Sequence, residues 1–290
     1  MVNLFGEEEL DVTRSILRQK FIEPPFSILD TRQAGWQERK RTWKQLGIRP
    51  EIVNNNNTKT FNISEWANEK ADKDMPAISI FDPALCEVIY KWFCPDGGSI
   101  LDPFAGGAVR GIVANFMGYH YTGIDIRQEQ IDDNRNQALD ILPVDNQPQW
   151  YVGDSFYELD KFKEESFDMI FSCPPYMDLE VYSDLKGDLS NMSHRDFLGA
   201  YGGIIYKACQ CLKPGGYACF VVGEVRDKKG YFCGLIPSTI ISFARAGLGY
   251  YNEIIMITPT GTAAIRANGS MKNKKIVRTH QNILVFKKGV

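Results

Sequence analysis

The chain has 290 residues, 44% of them hydrophobic, and a formal net charge of -3. That apolar content is ample for one large domain or for one domain with an appendage. The near-neutral balance excludes a globally basic protein, so any affinity for nucleic acid must come from local clusters of Lys and Arg. Seven cysteines, Cys86, Cys94, Cys173, Cys209, Cys211, Cys219 and Cys233, are an odd number and several lie inside apolar runs, which fits reduced thiols of an intracellular protein better than a disulfide framework. Cys209 and Cys211 lack a second pair or a nearby His, so no metal is expected. No apolar run is long enough to span a bilayer and the amino terminus is not cationic then apolar, which predicts a cytoplasmic protein with no membrane partner.

Residues 1–75 lack strand and helix alternation and read as an amino-terminal extension. Within it, residues 21–47 are dense in aromatics and cations. Trp36 and Trp43 sit a heptad apart with Arg39, Lys40, Arg41 and Lys44 around them, so a helix here presents a tryptophan face and a cationic flank. Such interleaving suits a polyanion with stackable bases; the alternative is a helix docked on the main domain by its tryptophans with its charges in water. The NNNN run at 54–57 predicts a polar surface loop.

The remainder, 76–290, is regular. A helix over 83–93 is punctuated by PDGG at 95–98, and a strand over 99–104 runs into a glycine turn that opens a helix through 118. A strand at 119–126, a helix at 127–141 and a short strand at 150–152 ending in GDSF follow. The apolar run 167–171 predicts a buried strand, then come a polar loop, a helix over 195–212 and a fifth strand within 213–227. After a helix at 237–246, the strands NEIIMIT and QNILVFK are joined by a long basic loop. This order predicts an α/β protein with a seven-stranded, mostly parallel sheet and one antiparallel edge pair.

Three successive strands end in an acid: Asp102, Asp125 and Asp154. The turn from Asp102 through Phe104, Ala105 and Gly106 is glycine-rich, yet it carries no Gly-Lys-Ser/Thr and does not match the dinucleotide fingerprint. Asp125 stands about twenty residues further on, where such folds hold ribose hydroxyls. Asp154 can accept from an adenine amino group. Together they describe a site for an adenosine with a cationic, phosphate-free tail, which is S-adenosyl-L-methionine. At the end of the fourth strand, Cys173, Pro174, Pro175 and Tyr176 must turn out of the sheet, because Pro-Pro cannot continue it. The corner is a rigid, flat cradle suited to a planar substrate such as a nucleobase; read blandly, it is a proline-terminated strand with a core cysteine and a packing tyrosine.

LDPFAGGAVRG, GIDI, GDS and SCPPY, in that order and spacing, resemble the motifs of the class I S-adenosylmethionine-dependent methyltransferases that modify nucleobases in DNA, the group marked by Asp, Asn or Ser before Pro-Pro-Tyr. FDPALCEVIYKWFCPDGG resembles the helix that closes over the cofactor's methionine end in that group. The resemblance covers residues 77–288. It implies a Rossmann-like fold and a cofactor site drawn from Asp82, Asp102, Phe104, Ala105, Gly106, Asp125, Ile126, Asp154, Ser155 and Cys173. It also implies a double-stranded DNA partner, as in restriction-modification. SCPPY follows the glycine turn too closely for a target-recognition insert, so recognition is expected from the amino-terminal segment, from the loop 177–194 and from the basic loop 260–280. The candidates are Trp36, Arg39, Arg41 and Lys44, then Arg266, Lys272, Lys274, Lys275 and Arg278.

Cys173 departs from the pattern. In the group it resembles, the residue before Pro-Pro accepts from the amine being methylated, and a neutral thiol is a poor acceptor. Cysteine is nevertheless the nearest isostere of the serine found in cytosine-amino members, with the Pro174 carbonyl left as main acceptor. Alternatively Cys173 is a nucleophile adding to carbon six of a pyrimidine, activating carbon five, with Glu224 as acid and Arg226 holding the carbonyl; otherwise these two form a surface ion pair. Tyr176 is expected to stack on a base swung out of the duplex. The acidic stretch 178–188 suits a lid or a partner contact. His120, His194 and His280 form no metal or triad pattern. Methylation of an RNA base or of a small molecule, and a binding subunit without turnover, remain open on sequence alone.

Overall fold

The structure is a computed structural model, which describes residues 12–51, 80–176, 183–185, 187–227, 229–261 and 263–289. The asparagine run at 54–57 and most of the loop expected to act as a lid, at 177–182 and 186, lie outside the described residues.

In chain order the strands are β1 (Ile28–Asp30), β2 (Ser99–Asp102), β3 (His120–Asp125), β4 (Gln149–Val152), β5 (Phe167–Ser172), β6 (Leu212–Val222), β7 (Leu248–Ile257) and β8 (His280–Lys288). The helices are α1 (Val12–Phe21), α2 (Ala34–Gln45), α3 (Pro83–Phe93), α4 (Val109–Phe116), α5 (Gln128–Ile141), the single turn α6 (Ser155–Glu158), α7 (His194–Cys211), α8 (Leu235–Arg245) and α9 (Ala263–Met271). One sheet of eight strands runs in the order β1-β7-β8-β6-β5-β2-β3-β4. Among the strands of the described residues, only β8 is antiparallel to its neighbours. The carboxyl ends of β2, β3, β4, β5 and β6 therefore lie along one edge.

Successive side chains of the inner strands alternate between two cores, as the pleat requires. Ile100, Met169, Phe171, Cys219, Val221, Ile283 and Val285 face the layer of α2, α3, α4 and α5. Leu101, Ile170, Ala218, Phe220, Val222, Leu284 and Phe286 face α7 and α8. Burial on both faces explains why these strands read as continuous apolar runs. α4 lies close on the sheet at Gly111, where a Cβ would fall 2.7 Å from Trp150 Cζ2. α3 starts at Asp82, whose carboxylate accepts from Ala84 N, with Pro83 at the first helical position.

Two expectations are corrected. Among the described residues there are eight strands, not seven, because Ile28, Leu29 and Asp30 pair in parallel with Ile255, Met256 and Ile257. The predicted antiparallel pair β7–β8 is present, but β1 covers its outer edge. A three-residue strand just after Pro-Pro-Phe carries too little periodicity to be read from sequence. The basic loop also contains α9, which buries only Ala263 and so shows no apolar stripe. Among the described residues no helix is long and apolar enough to cross a membrane.

Candidate active site

Asp102 ends β2 with its side chain fully buried and four donors around it. Oδ1 accepts from Phe104 N at 3.1 Å and from Ser172 Oγ at 2.5 Å; Oδ2 accepts from Tyr121 OH at 2.7 Å and Arg110 Nε at 2.5 Å. Expected as the partner of a cationic tail, Asp102 instead faces inward, and its charge is matched by Arg110. The same guanidinium donates to the carbonyls of Phe104 and Ala105, both at 2.7 Å, and lies 4.6 Å from the Phe81 ring centroid. The glycine turn is thus propped from behind by a residue of α4.

The outer face of the turn is open to carboxylates. Gly106 adopts φ +50, a conformation that favours glycine, and donates to Asp125 Oδ2 at 3.0 Å. Gly107 donates to Glu51 Oε1 at 2.9 Å. A Cβ at either glycine would fall within 2.7 Å of Glu51, so the Glu51 carboxylate rests directly on the glycine turn. Asp125 also accepts from Arg127 N at 2.9 Å. Burial raises its pKa, opposed by the Arg127 guanidinium and the two amides. Asp154 caps α6 through Phe156 N at 2.9 Å, and Ser155 Oγ donates to Pro103 O at 2.6 Å, tying the end of β4 to the glycine turn. Gly187 sits over Asp154 and Ile126, with room for no Cβ against either.

At the end of β5, Cys173 is partly buried, with Sγ 3.8 Å from Tyr176 OH. Burial pushes its thiol pKa up to about 11, more than Arg110 and the tyrosine bring it down. Tyr176 OH accepts from Gln281 Nε2 at 3.2 Å, and its ring borders Gly223 at the end of β6. The corner is joined to the glycine turn through Ser172 and Asp102. One sheet edge therefore carries Gly106, Asp125, Asp154 and the Cys173–Tyr176 corner side by side, in the crevice where open α/β sheets bind ligands.

Compared with solved structures, the chain is similar to the [4+2]-cyclase SpnF, with a TM-score of 0.52 at 16% identity over 72% of this chain and 82% of that one. It is also similar to a geranyl diphosphate methyltransferase solved with GPP and sinefungin, with a TM-score of 0.50 at 12% identity over 71% of this chain and 77% of that one. The fold is that of the Rossmann-like methyltransferases. TrmN from Thermus thermophilus aligns at a TM-score of 0.47 and 16% identity over 72% of this chain, which spans 49% of TrmN. No protein-family model and no curated protein matches the sequence. A cyclase stands beside a methyltransferase on this methyltransferase fold, so the chemistry must be read from the side chains.

The other expected residues divide. Asp82 caps α3 and accepts from Trp36 Nε1 and Lys40 Nζ, both at 3.1 Å. Trp36 is only 1% exposed and Trp43 packs edge-on against Phe116, so α2 is docked by its tryptophans and Trp36 offers no face to a base. Arg39 pairs with Glu87 at 3.4 Å, while Arg41 and Lys44 remain exposed. Glu224 does not pair with Arg226; its carboxylate accepts from Gly234 N at 3.1 Å and Ile236 N at 2.8 Å, capping α8. Arg226 donates to Gly230 O and stacks on Phe232. Arg266, Lys272 and Lys274 are exposed, Lys275 packs over Gly230, and Arg278 bonds to Asn282 and to the His280 carbonyl.

Sequence reasoning missed Arg110, Ser172, Glu51 and Gln281. A signal existed for the first two: Arg110 is a charge on the apolar face of a helix inside the glycine motif, and Ser172 is a hydroxyl closing an apolar strand. Glu51 and Gln281 stand in no motif and come to the site only through tertiary structure.

Proposed function

We propose that the chain is an S-adenosylmethionine-dependent methyltransferase acting on duplex DNA, and that its target is the exocyclic amine of a cytosine or adenine swung out of the stack. The observation that carries this reading is the Asp102 carboxylate, bonded at once to Ser172 beside the Pro-Pro-Tyr corner and to Arg110 and Phe104 at the glycine turn. A donor pocket and a base cradle so joined keep a fixed separation, which is what methyl transfer between two bound molecules needs.

The residues present fit the cofactor. Gly106 and Gly107 present backbone amides without side chains, with the Glu51 carboxylate on Gly107 as a partner for a cationic tail, Asp125 has a carboxylate for ribose hydroxyls, and the adenine is assigned beside Ile126 and Asp154, where Gly187 now packs. When bound, S-adenosylmethionine supplies an electrophilic methyl on a sulfonium. Pro174 offers its carbonyl to one amine proton and so directs the nitrogen lone pair. Tyr176, fixed at its hydroxyl by Gln281, presents a ring for the base to stack on. The amine is favoured over carbon five because the Cys173 thiol is pushed up to about 11 and Glu224 is held by two backbone amides. A thiol nucleophile requires the reverse on both counts.

Incubation with methyl-labelled S-adenosylmethionine and, separately, duplex DNA, RNA and free nucleosides tests the reading. Label in duplex DNA is expected. Label confined to RNA or to nucleosides contradicts the substrate, and cofactor binding without transfer to any of the three contradicts the enzyme.

A further inference from the structure

The chain is acidic overall, yet residues 254–290 contain seven Lys and Arg and no Asp or Glu. Most of these cations lie in the connection between β7 and β8. Among the described residues none of Arg266, Lys272, Lys274 and Lys275 forms an ion pair, whereas Arg39 and Lys40 on α2 do.

Beside this connection stands a hairpin that the site does not use. Arg226 and Phe232 form an antiparallel bridge. Asp227 N donates to Tyr231 O at 2.8 Å, Gly230 N to Asp227 O at 2.9 Å, and Tyr231 N to Asp227 Oδ1 at 2.8 Å. The Arg226 guanidinium lies 3.9 Å from the Phe232 ring centroid. Between these bonded residues Tyr231 is 72% and Phe232 54% exposed. Adjacent exposed aromatics beside an unpaired basic cluster are what a binding surface for a partner with flat faces offers. Both elements root at the base cradle. Gly223, just before the hairpin, borders the Tyr176 ring, and Gln281, just after the basic connection, donates to Tyr176 OH. They meet where Lys275 packs over Gly230.

We infer that this hairpin is a wedge for an opened duplex: Tyr231 and Phe232 stack on the bases flanking the target while Arg266, Lys272, Lys274 and Lys275 hold its phosphates. Unpaired cations fix the partner as a polyanion, and two flat rings at their side select one with exposed base faces. The inference rests on the reading of a polynucleotide substrate given above and adds the residues that stabilise the gap left by the extruded base.

The test is anisotropy of labelled duplexes, fully paired or with one unpaired base, titrated with the full chain over a salt series. Wild type is expected to bind the unpaired duplex more tightly. Tyr231→Ala/Phe232→Ala should weaken that complex roughly tenfold to hundredfold, abolish the preference and leave the salt slope unchanged. Lys272→Ser/Lys274→Ser/Lys275→Ser should keep the preference and lower the slope by about three. Unaltered titration with S-adenosylhomocysteine shows both variants folded. An aromatic variant that keeps the preference overturns the wedge alone when wild type methylates DNA. A variant that abolishes self-association in sedimentation, with duplex binding intact, also overturns it and makes the hairpin a contact between copies. Wild type that binds no duplex and no RNA at low salt overturns the substrate reading and the wedge together.

Discussion

Arg110 and Asp102 form an ion pair of 2.5 Å whose side chains are 4% and 0% exposed. A buried pair of this kind contributes little over an apolar substitute but is costly to break on one side, because the remaining charge has no water. Arg110→Met is therefore expected to destabilise the fold by about 3–5 kcal/mol in denaturant unfolding. Arg110 also holds the Phe104 and Ala105 carbonyls, so Arg110→Lys should be intermediate in stability and still weaken S-adenosylhomocysteine, a lysine being unable to fork between the two carbonyls and the carboxylate. Equal cofactor affinity in Arg110→Lys and wild type would refute the strut.

Asp125→Asn removes the charged acceptor assigned to the ribose. At about 1.5–3 kcal/mol for a charge-assisted hydrogen bond, cofactor affinity should fall tenfold to hundredfold. Burial raises the Asp125 pKa, so the carboxylate is lost at a higher pH than usual as the solution is acidified. Wild-type affinity should then decline on acidification while the asparagine variant stays flat. The stability contribution has the opposite sense: it is present below the ordinary carboxylate pKa and lost as pH rises through the raised one. Titration calorimetry across this range reads the first effect.

Trp36→Ala is expected to cost about 3–5 kcal/mol of stability and to leave the salt dependence of nucleic-acid binding unchanged, since the ring is in the core and its Nε1 serves Asp82. A stable variant with weakened DNA binding would restore the stacking role expected from the aromatic and basic pattern.

That case shows where the sequence was legible. The succession of strands and helices along the chain, the acid at each strand end and the proline-terminated corner follow from periodicity and backbone chemistry, and the structure brings the acids and the corner to one edge. Burial could not be read from residue type: the sequence left Trp36 as either a stacking face or a ring that docks its helix, and the structure places it in the core with its Nε1 on Asp82. Glu224 and Arg226, two positions apart in a motif-like run, diverge because one caps α8 and the other closes a hairpin. Both outcomes depend on contacts with segments ten residues or more away, or on a turn that no pattern specifies.

The Cys173 thiol, raised to about 11 by burial, should be alkylated roughly two orders of magnitude more slowly than a free cysteine near pH 8. Its rate should climb until about pH 11. Any stability that the neutral thiol contributes is present below the ordinary cysteine pKa and lost as pH rises through the raised value. Peptide mass spectrometry after timed iodoacetamide treatment follows this residue separately from the others. Rapid modification at neutral pH would mark an activated nucleophile.

The central claim is that one corner, held to the glycine turn through Ser172 and Asp102, delivers a methyl group to an exocyclic amine. The most direct measurement is nucleoside mass spectrometry of duplex DNA methylated by wild type and by Cys173→Ser. The account predicts an amino-methylated cytosine or adenine from both proteins, at comparable rates. Methylation at carbon five of cytosine by wild type, abolished in Cys173→Ser, would contradict it.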